Sequence, residues 1–117
     1  IIPELKNKFD GMAIRVPIPV GSLSDMVFVT SRDVTVKEVN QALIDASKKD
    51  HLKGILAVTD EPIVSSDIVG RPESSIVDLN FTKVVGGNLV KVLSWYDNEW
   101  GYCHRLIEQI LLIPTKN

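Results

Sequence analysis

The sequence predicts an α+β domain: a largely antiparallel or mixed sheet with helices on one face. Three observations carry this. Stretches rich in β-branched residues outnumber helical ones. The links between them are short and rich in Gly and Pro, as hairpin links are. Two segments, 35–49 and 98–113, repeat their apolar residues at helical spacing.

The first β-rich stretch, MAIRVPIPV at 12–20, follows the turn pair Asp10–Gly11. Alternation sends Met12, Ile14 and Val16 to one face and Ala13, Arg15 and Pro17 to the other. Pro17 and Pro19 have no N–H to give a ladder, which puts this strand at or near a sheet edge. Gly21–Ser22 breaks the chain before SLSDMVFVTS, a second strand ending near Thr30. The two are expected to form an antiparallel pair.

The segment TVKEVNQALIDASKK carries the clearest helix signals. Thr35 and Glu38 have capping-box spacing, in which each side chain satisfies a backbone N–H of the first turn. Val39, Ala42, Leu43 and Ala46 make one apolar stripe, and Lys48 and Lys49 close the last turn, where positive charge suits the helix dipole.

Three extended pieces follow: GILAVTD before the Glu61–Pro62 turn, IVSSDIVG, and SSIVDLNFTKVV after Arg71–Pro72. Gly86–Gly87–Asn88 then separates KVV from LVKVLSWYD. A phosphate cradle would open a helix at that glycine pair; a strand follows instead, so the pair reads as a hairpin turn. In the terminal helix Cys103, Leu106, Ile107, Ile110 and Leu111 share a face that Leu112 and Ile113 widen, and Pro114 forbids continuation. That face is broad for a small domain, and part of it is expected to meet a partner surface.

A chain of 117 residues fits one domain with a real core. Its 44% hydrophobic and 24% charged residues are ordinary for a globular protein. A net charge of −2 without a basic stripe gives no footprint for nucleic acid, and no apolar run approaches the roughly 18 residues of a membrane span. A single Cys excludes an internal disulfide and makes a reducing cytoplasm the default compartment. The opening IIPELKNKFDG has no basic region followed by an apolar one, so it does not read as a signal peptide. It starts without Met, as a trimmed chain or a piece of a longer protein would.

The segment SWYDNEWGYCHR at 94–105 places the only Cys beside a His. Neighbours on a helix point about 100° apart, so Cys103 and His104 do not face each other as nucleophile and base must. Cys103 is expected to be a small hydrophobe of the apolar stripe. His51, Cys103 and His104 show no metal-ligand spacing. Arg15 is a lone cation in an otherwise apolar strand and needs an anionic partner. An acid on the next strand is the plainer candidate; a bound phosphate, which suits the planar fork, is the other. Asp97 or Asn98 fits a helix N-cap, while Asn98 could also read the polar edge of a ligand. Trp95, Tyr96, Trp100 and Tyr102 read first as core aromatics.

The blocks GMAIRVPIP, VSSDIVG, PESSIVD and SWYDNEWGY, with LKGIL before VSSD and GGNLVKVLSWYDNE at the hairpin, resemble in order and spacing the C-terminal, catalytic domain of phosphorylating glyceraldehyde-3-phosphate dehydrogenases. The likeness runs over nearly the whole chain. It implies a cytoplasmic, glycolytic homotetramer. A Cys thiolate attacks glyceraldehyde 3-phosphate, hydride passes to NAD (NADP is left open), and inorganic phosphate splits the thioester to 1,3-bisphosphoglycerate.

It further implies that residues 1–117 are a partial catalytic domain. The nucleotide-binding domain, the nucleophilic Cys and the base His match nothing here, and Cys103 falls where the family has Ser. No residue of this chain is then catalytic, and the chain alone is expected not to turn over. Arg15 matches the family Arg that contacts phosphate, and Asn98 matches the Asn that holds the nicotinamide carboxamide. Tyr96 and Tyr102 match tyrosines near the pocket, and the terminal helix matches one that docks on the nucleotide-binding domain. Glu73 stands where a His is common, and His104 where an Asn is. A fragment of erythrose-4-phosphate dehydrogenase and a non-catalytic oligomerisation or effector-binding module are the alternatives.

Overall fold

Thr35 fixes where the first helix begins. Its Oγ1 accepts from the Glu38 N–H at 3.2 Å, while its own N–H donates to Glu38 Oε2 at 2.8 Å. The reciprocal box starts α1, Val36–Ser47. Arg32 reaches the same carboxylate, with Nη1 3.1 Å from Oε1. Lys48 caps the far end and Lys49 lies one residue beyond, so the positive charge sits just past the last turn. The computed structural model describes residues 2–114.

The α+β class holds. One four-stranded mixed sheet has the order β1-β4-β3-β2, where β1 is Ser22–Val29, β2 Leu56–Thr59, β3 Ser75–Val85 and β4 Leu89–Tyr96. β2 runs parallel to β3, and the other pairs are antiparallel. Val39 and Leu43 of α1 press on Val77, Val90 and Val92, a buried cluster that also gathers Met26, Leu56, Val58 and Val84. Burial of those β-branched side chains between helix and sheet is the main apolar stabilisation of the fold. On the opposite face Ile76 and Asp78 are both about 1% exposed, and Trp95 Nε1 donates to Asp78 Oδ2 at 3.3 Å.

The glycine pair makes a hairpin, with Val85 opposite Leu89 across it. Gly86 and Gly87 have φ of 59° and 83°, where a β-carbon is costly. A Cβ on Gly87 would also fall 2.7 Å from Asp33 Cγ. The Gly87 carbonyl accepts from Val34 N–H at 2.8 Å, so the hairpin tip holds the loop that leads into α1. Further along the hairpin, four residues of β3 (79–82) span a step that β4 makes with Val92 alone. Asn40 Nδ2 donates to Leu79 O and Asn80 Nδ2 to Asp60 O, stitching this irregular stretch to α1 and to the end of β2.

Two sequence expectations are corrected. No strand forms over 12–20: these residues are irregular and mostly exposed, Met12 at 86% and Ile14 at 77%, and β1 pairs with β4 instead. Pro17 and Pro19 withhold ladder donors, and alternation alone supplies no neighbour to pair with. IVSSDIVG is not extended either. The Asp67 carboxylate accepts from Val64 N–H at 2.7 Å and winds Ser65–Ile68 into a 3₁₀ turn, a local bond that competes with a ladder. Ile68 from that turn is completely buried.

Thr35→Ala removes the oxygen that accepts from Glu38 and lowers unfolding stability in urea by about 1 kcal/mol. Thr35→Ser keeps most of it. Equal midpoints for the Ala and Ser variants would contradict the cap.

Candidate functional site

Strand β4 ends at Tyr96, and one residue later α2, Asn98–Leu111, begins. The hinge between them is Asp97, only 4% exposed. Its Oδ1 accepts from the N–H groups of Glu99 (3.1 Å) and Trp100 (2.9 Å), an N-cap as the sequence allowed. Its Oδ2 accepts from Gly70 N–H at 2.8 Å, 27 residues back in the chain. Burial pushes the Asp97 carboxyl up, but the N–H groups of Trp100, Gly70 and Glu99 outweigh it and hold the pKa below the ordinary aspartate value.

The loop reached by Asp97 is itself braced. Arg71 forks onto Glu73, with Nε and Nη2 each 3.0 Å from a carboxylate oxygen. That hydrogen bonding holds the Glu73 carboxyl below its usual range. Gly101, buried in the second turn of α2, lies so close to this loop that a Cβ would stand 3.2 Å from Glu73 O. Arg105 adds another attachment, Nη1 donating to Gly54 O and Ser74 Oγ at 3.2 Å each. The first two turns of α2 are thus bound to the 70–74 loop rather than laid across the strands.

Between helix and loop is a surface cavity of about 280 Å³ lined by Ser74, Tyr96, Asn98, Gly101, Tyr102 and Arg105, with Asp97 beside them. The sequence-predicted Tyr96, Asn98 and Tyr102 therefore meet in one place. Asn98 lines that cavity, and a carboxamide carries an acceptor and two donors, a set that matches another amide. Ser74, Arg105 and the Asp97–Gly70 bond were missed in the sequence, because nothing local marks a contact between residues so far apart.

Arg15 is not among the cavity residues. It is exposed, and among the described residues it makes no ion pair, so the acid on the next strand does not take it. It stands seven residues ahead of Ser22, which pairs with Tyr96, so the segment carrying Arg15 enters the sheet at the end where α2 leaves. Seven residues reach about 24 Å at most.

Cys103 is exposed, not buried as expected of a stripe residue, because the whole stripe is uncovered: Leu106, Ile107, Ile110 and Leu111 are 48–78% exposed. His104 turns to Trp100 instead, with ring centroids 5.6 Å apart. A second cavity of about 370 Å³, lined by Phe28, Val34, Val39, Leu43, Val90 and Val92 among others, opens between α1 and the sheet and is mostly apolar. Among the described residues no helix is long and apolar enough to cross a membrane.

A family model described as glyceraldehyde 3-phosphate dehydrogenase, C-terminal domain, matches residues 1–98. The chain is 49% identical over 116 residues to glyceraldehyde-3-phosphate dehydrogenase 2 of Streptomyces avermitilis, covering 99% of this chain and 34% of that protein. It is 52% identical over 113 residues to the glyceraldehyde-3-phosphate dehydrogenase of Mycobacterium leprae, covering 97% and 33%. With that of Zymomonas mobilis it shares 48% over 108 residues, covering 92% and 32%. The chain spans about a third of the length of these curated relatives.

The lowered Asp97 pKa sets a pH dependence. The folded carboxyl protonates less readily than the unfolded one, so its contribution is whole above the ordinary carboxylate range near pH 4 and is lost as pH falls through the lower, folded value. Asp97→Asn has no proton to take up, and its stability falls less steeply below about pH 4 than that of the unsubstituted chain. Glu73 is present in both, so the difference reads Asp97. Parallel acid slopes would contradict the assignment.

Proposed function

Since the chain belongs to the glyceraldehyde 3-phosphate dehydrogenase C-terminal domain family, we propose that it is part of the catalytic domain of a phosphorylating, NAD-dependent enzyme of that kind. The enzyme oxidises glyceraldehyde 3-phosphate and joins inorganic phosphate to the product, giving 1,3-bisphosphoglycerate. The observation that carries this reading is the meeting of Asn98, Tyr96 and Tyr102 at one cavity beside the buried cap of α2.

In the intact enzyme the nucleophilic Cys, the base His and the nucleotide-binding domain belong to polypeptide outside these 117 residues. This chain supplies binding and orientation. The Asn98 amide fits the nicotinamide carboxamide, whose acceptor and donors mirror its own. Bound NAD would supply the hydride acceptor. Asn98 then selects which ring face meets the substrate, and Tyr96 and Tyr102 wall the cavity.

Arg15, exposed and without an acid partner among the described residues, clamps a phosphate, of the substrate or of the attacking anion, through its planar fork. The enzyme is a cytoplasmic, glycolytic homotetramer in this reading. The uncovered apolar stripe of α2 supports a further protein surface against it.

The test is kinetic and uses the full-length protein containing this chain, assayed with glyceraldehyde 3-phosphate, phosphate and NAD. Arg15→Lys replaces a bidentate fork by a point charge, so the KM for substrate or phosphate rises and kcat/KM falls about tenfold to a hundredfold. Asn98→Ala raises the KM for NAD and leaves that for phosphate in place. Unchanged constants in both variants, or no dependence of NADH formation on phosphate, would sink the reading. The 117-residue chain by itself forms no NADH; enzymatic turnover by it would equally contradict the division of labour.

A further inference from the structure

Asn98 is exposed among the residues that line its cavity, and the backbone from which it hangs sets the point its carboxamide reaches from. That backbone is set by its neighbour. An N-cap needs one acceptor, and Asp97 Oδ1 supplies it to Glu99 and Trp100. The second oxygen does something a cap does not require: it crosses to Gly70 N–H at 2.8 Å and joins the helix start to a turn far away in sequence. Gly70 adopts φ 77°, so the turn presents its N–H from a backbone conformation few residues other than Gly adopt. One turn further on Gly101 packs close against the same loop, and two turns on Arg105 bonds to it through Ser74, contacts that oppose pivoting of α2 about its cap.

Building on the cofactor role assigned to Asn98, we propose that Asp97 is a positioning residue for the nicotinamide site. By tying the start of α2 to the Gly70 turn it determines where the Asn98 carboxamide stands. The capping and tying roles separate chemically. Asp97→Asn keeps an oxygen for Glu99 and Trp100 but turns an NH₂ toward the Gly70 N–H, donor against donor. Asp97→Ser keeps one capping oxygen and cannot serve both partners.

The experiment uses the full-length protein with Asp97→Asn, Asp97→Ser, Asn98→Ala and the Asp97→Asn/Asn98→Ala double variant. KM for NAD and for phosphate are measured well below each variant's thermal midpoint. The expected result is an NAD KM raised about tenfold by either Asp97 variant, the worth of about one hydrogen bond, with the phosphate KM unchanged. Once Asn98 is Ala, Asp97→Asn adds less than twofold, because the group it positions is gone.

An NAD KM that stays put in the Asp97 variants while Asn98→Ala raises it overturns the positioning role alone. Full multiplication of the two effects in the double variant does the same, since a merely structural residue acts independently of Asn98. No change in Asn98→Ala removes the cofactor role and this inference with it.

Discussion

One buried carboxylate holds the β4–α2 end of this chain together. Asp97 is a junction of three elements: β4 ends before it, α2 starts after it, and the turn behind the 3₁₀ segment hangs from its second oxygen. A carboxylate withdrawn from water is costly unless its lone pairs are filled, and three backbone N–H groups fill these. The same groups are donors that a helix start and a tight turn would otherwise leave unsatisfied. Charge, cap and turn are satisfied by each other, and this mutual dependence fixes the cavity beside them.

Much of the fold was legible in local pattern. Thr35 and Glu38 at capping-box spacing gave the start of α1 because both partners lie within one turn. Gly86–Gly87 gave the hairpin because positive φ is a property of the residue itself. The stretch at 12–20 misled: alternating apolar residues say that a strand could form, but not that a neighbour exists to accept it. IVSSDIVG misled for the opposite reason, since its β-branched residues were outbid by a single Asp67 bond to backbone.

The site was legible in a different way. Composition and periodicity left Asn98 as one of two candidate caps and Arg15 as a cation seeking an anion; only the resemblance to a family gave them distinct roles. The structure brings Asn98, Tyr96 and Tyr102 together and leaves Arg15 on a separate, exposed segment. The Asp97–Gly70 bond spans 27 residues, and although both ends lie in blocks that resemble the family, nothing in either block says that the two meet. The exposed apolar stripe of α2 and the apolar groove beside α1 belong to a chain that covers about a third of the length of its relatives.

The central claim is that Asp97 places the Asn98 carboxamide for recognition of a second amide. A structure of the full-length protein with NAD bound tests it most directly. The account predicts the nicotinamide carboxamide within about 2.7–3.2 Å of the Asn98 side chain, with the Asp97 carboxylate still on Gly70 N–H. A nicotinamide held by other residues, with Asn98 turned to solvent, would contradict it.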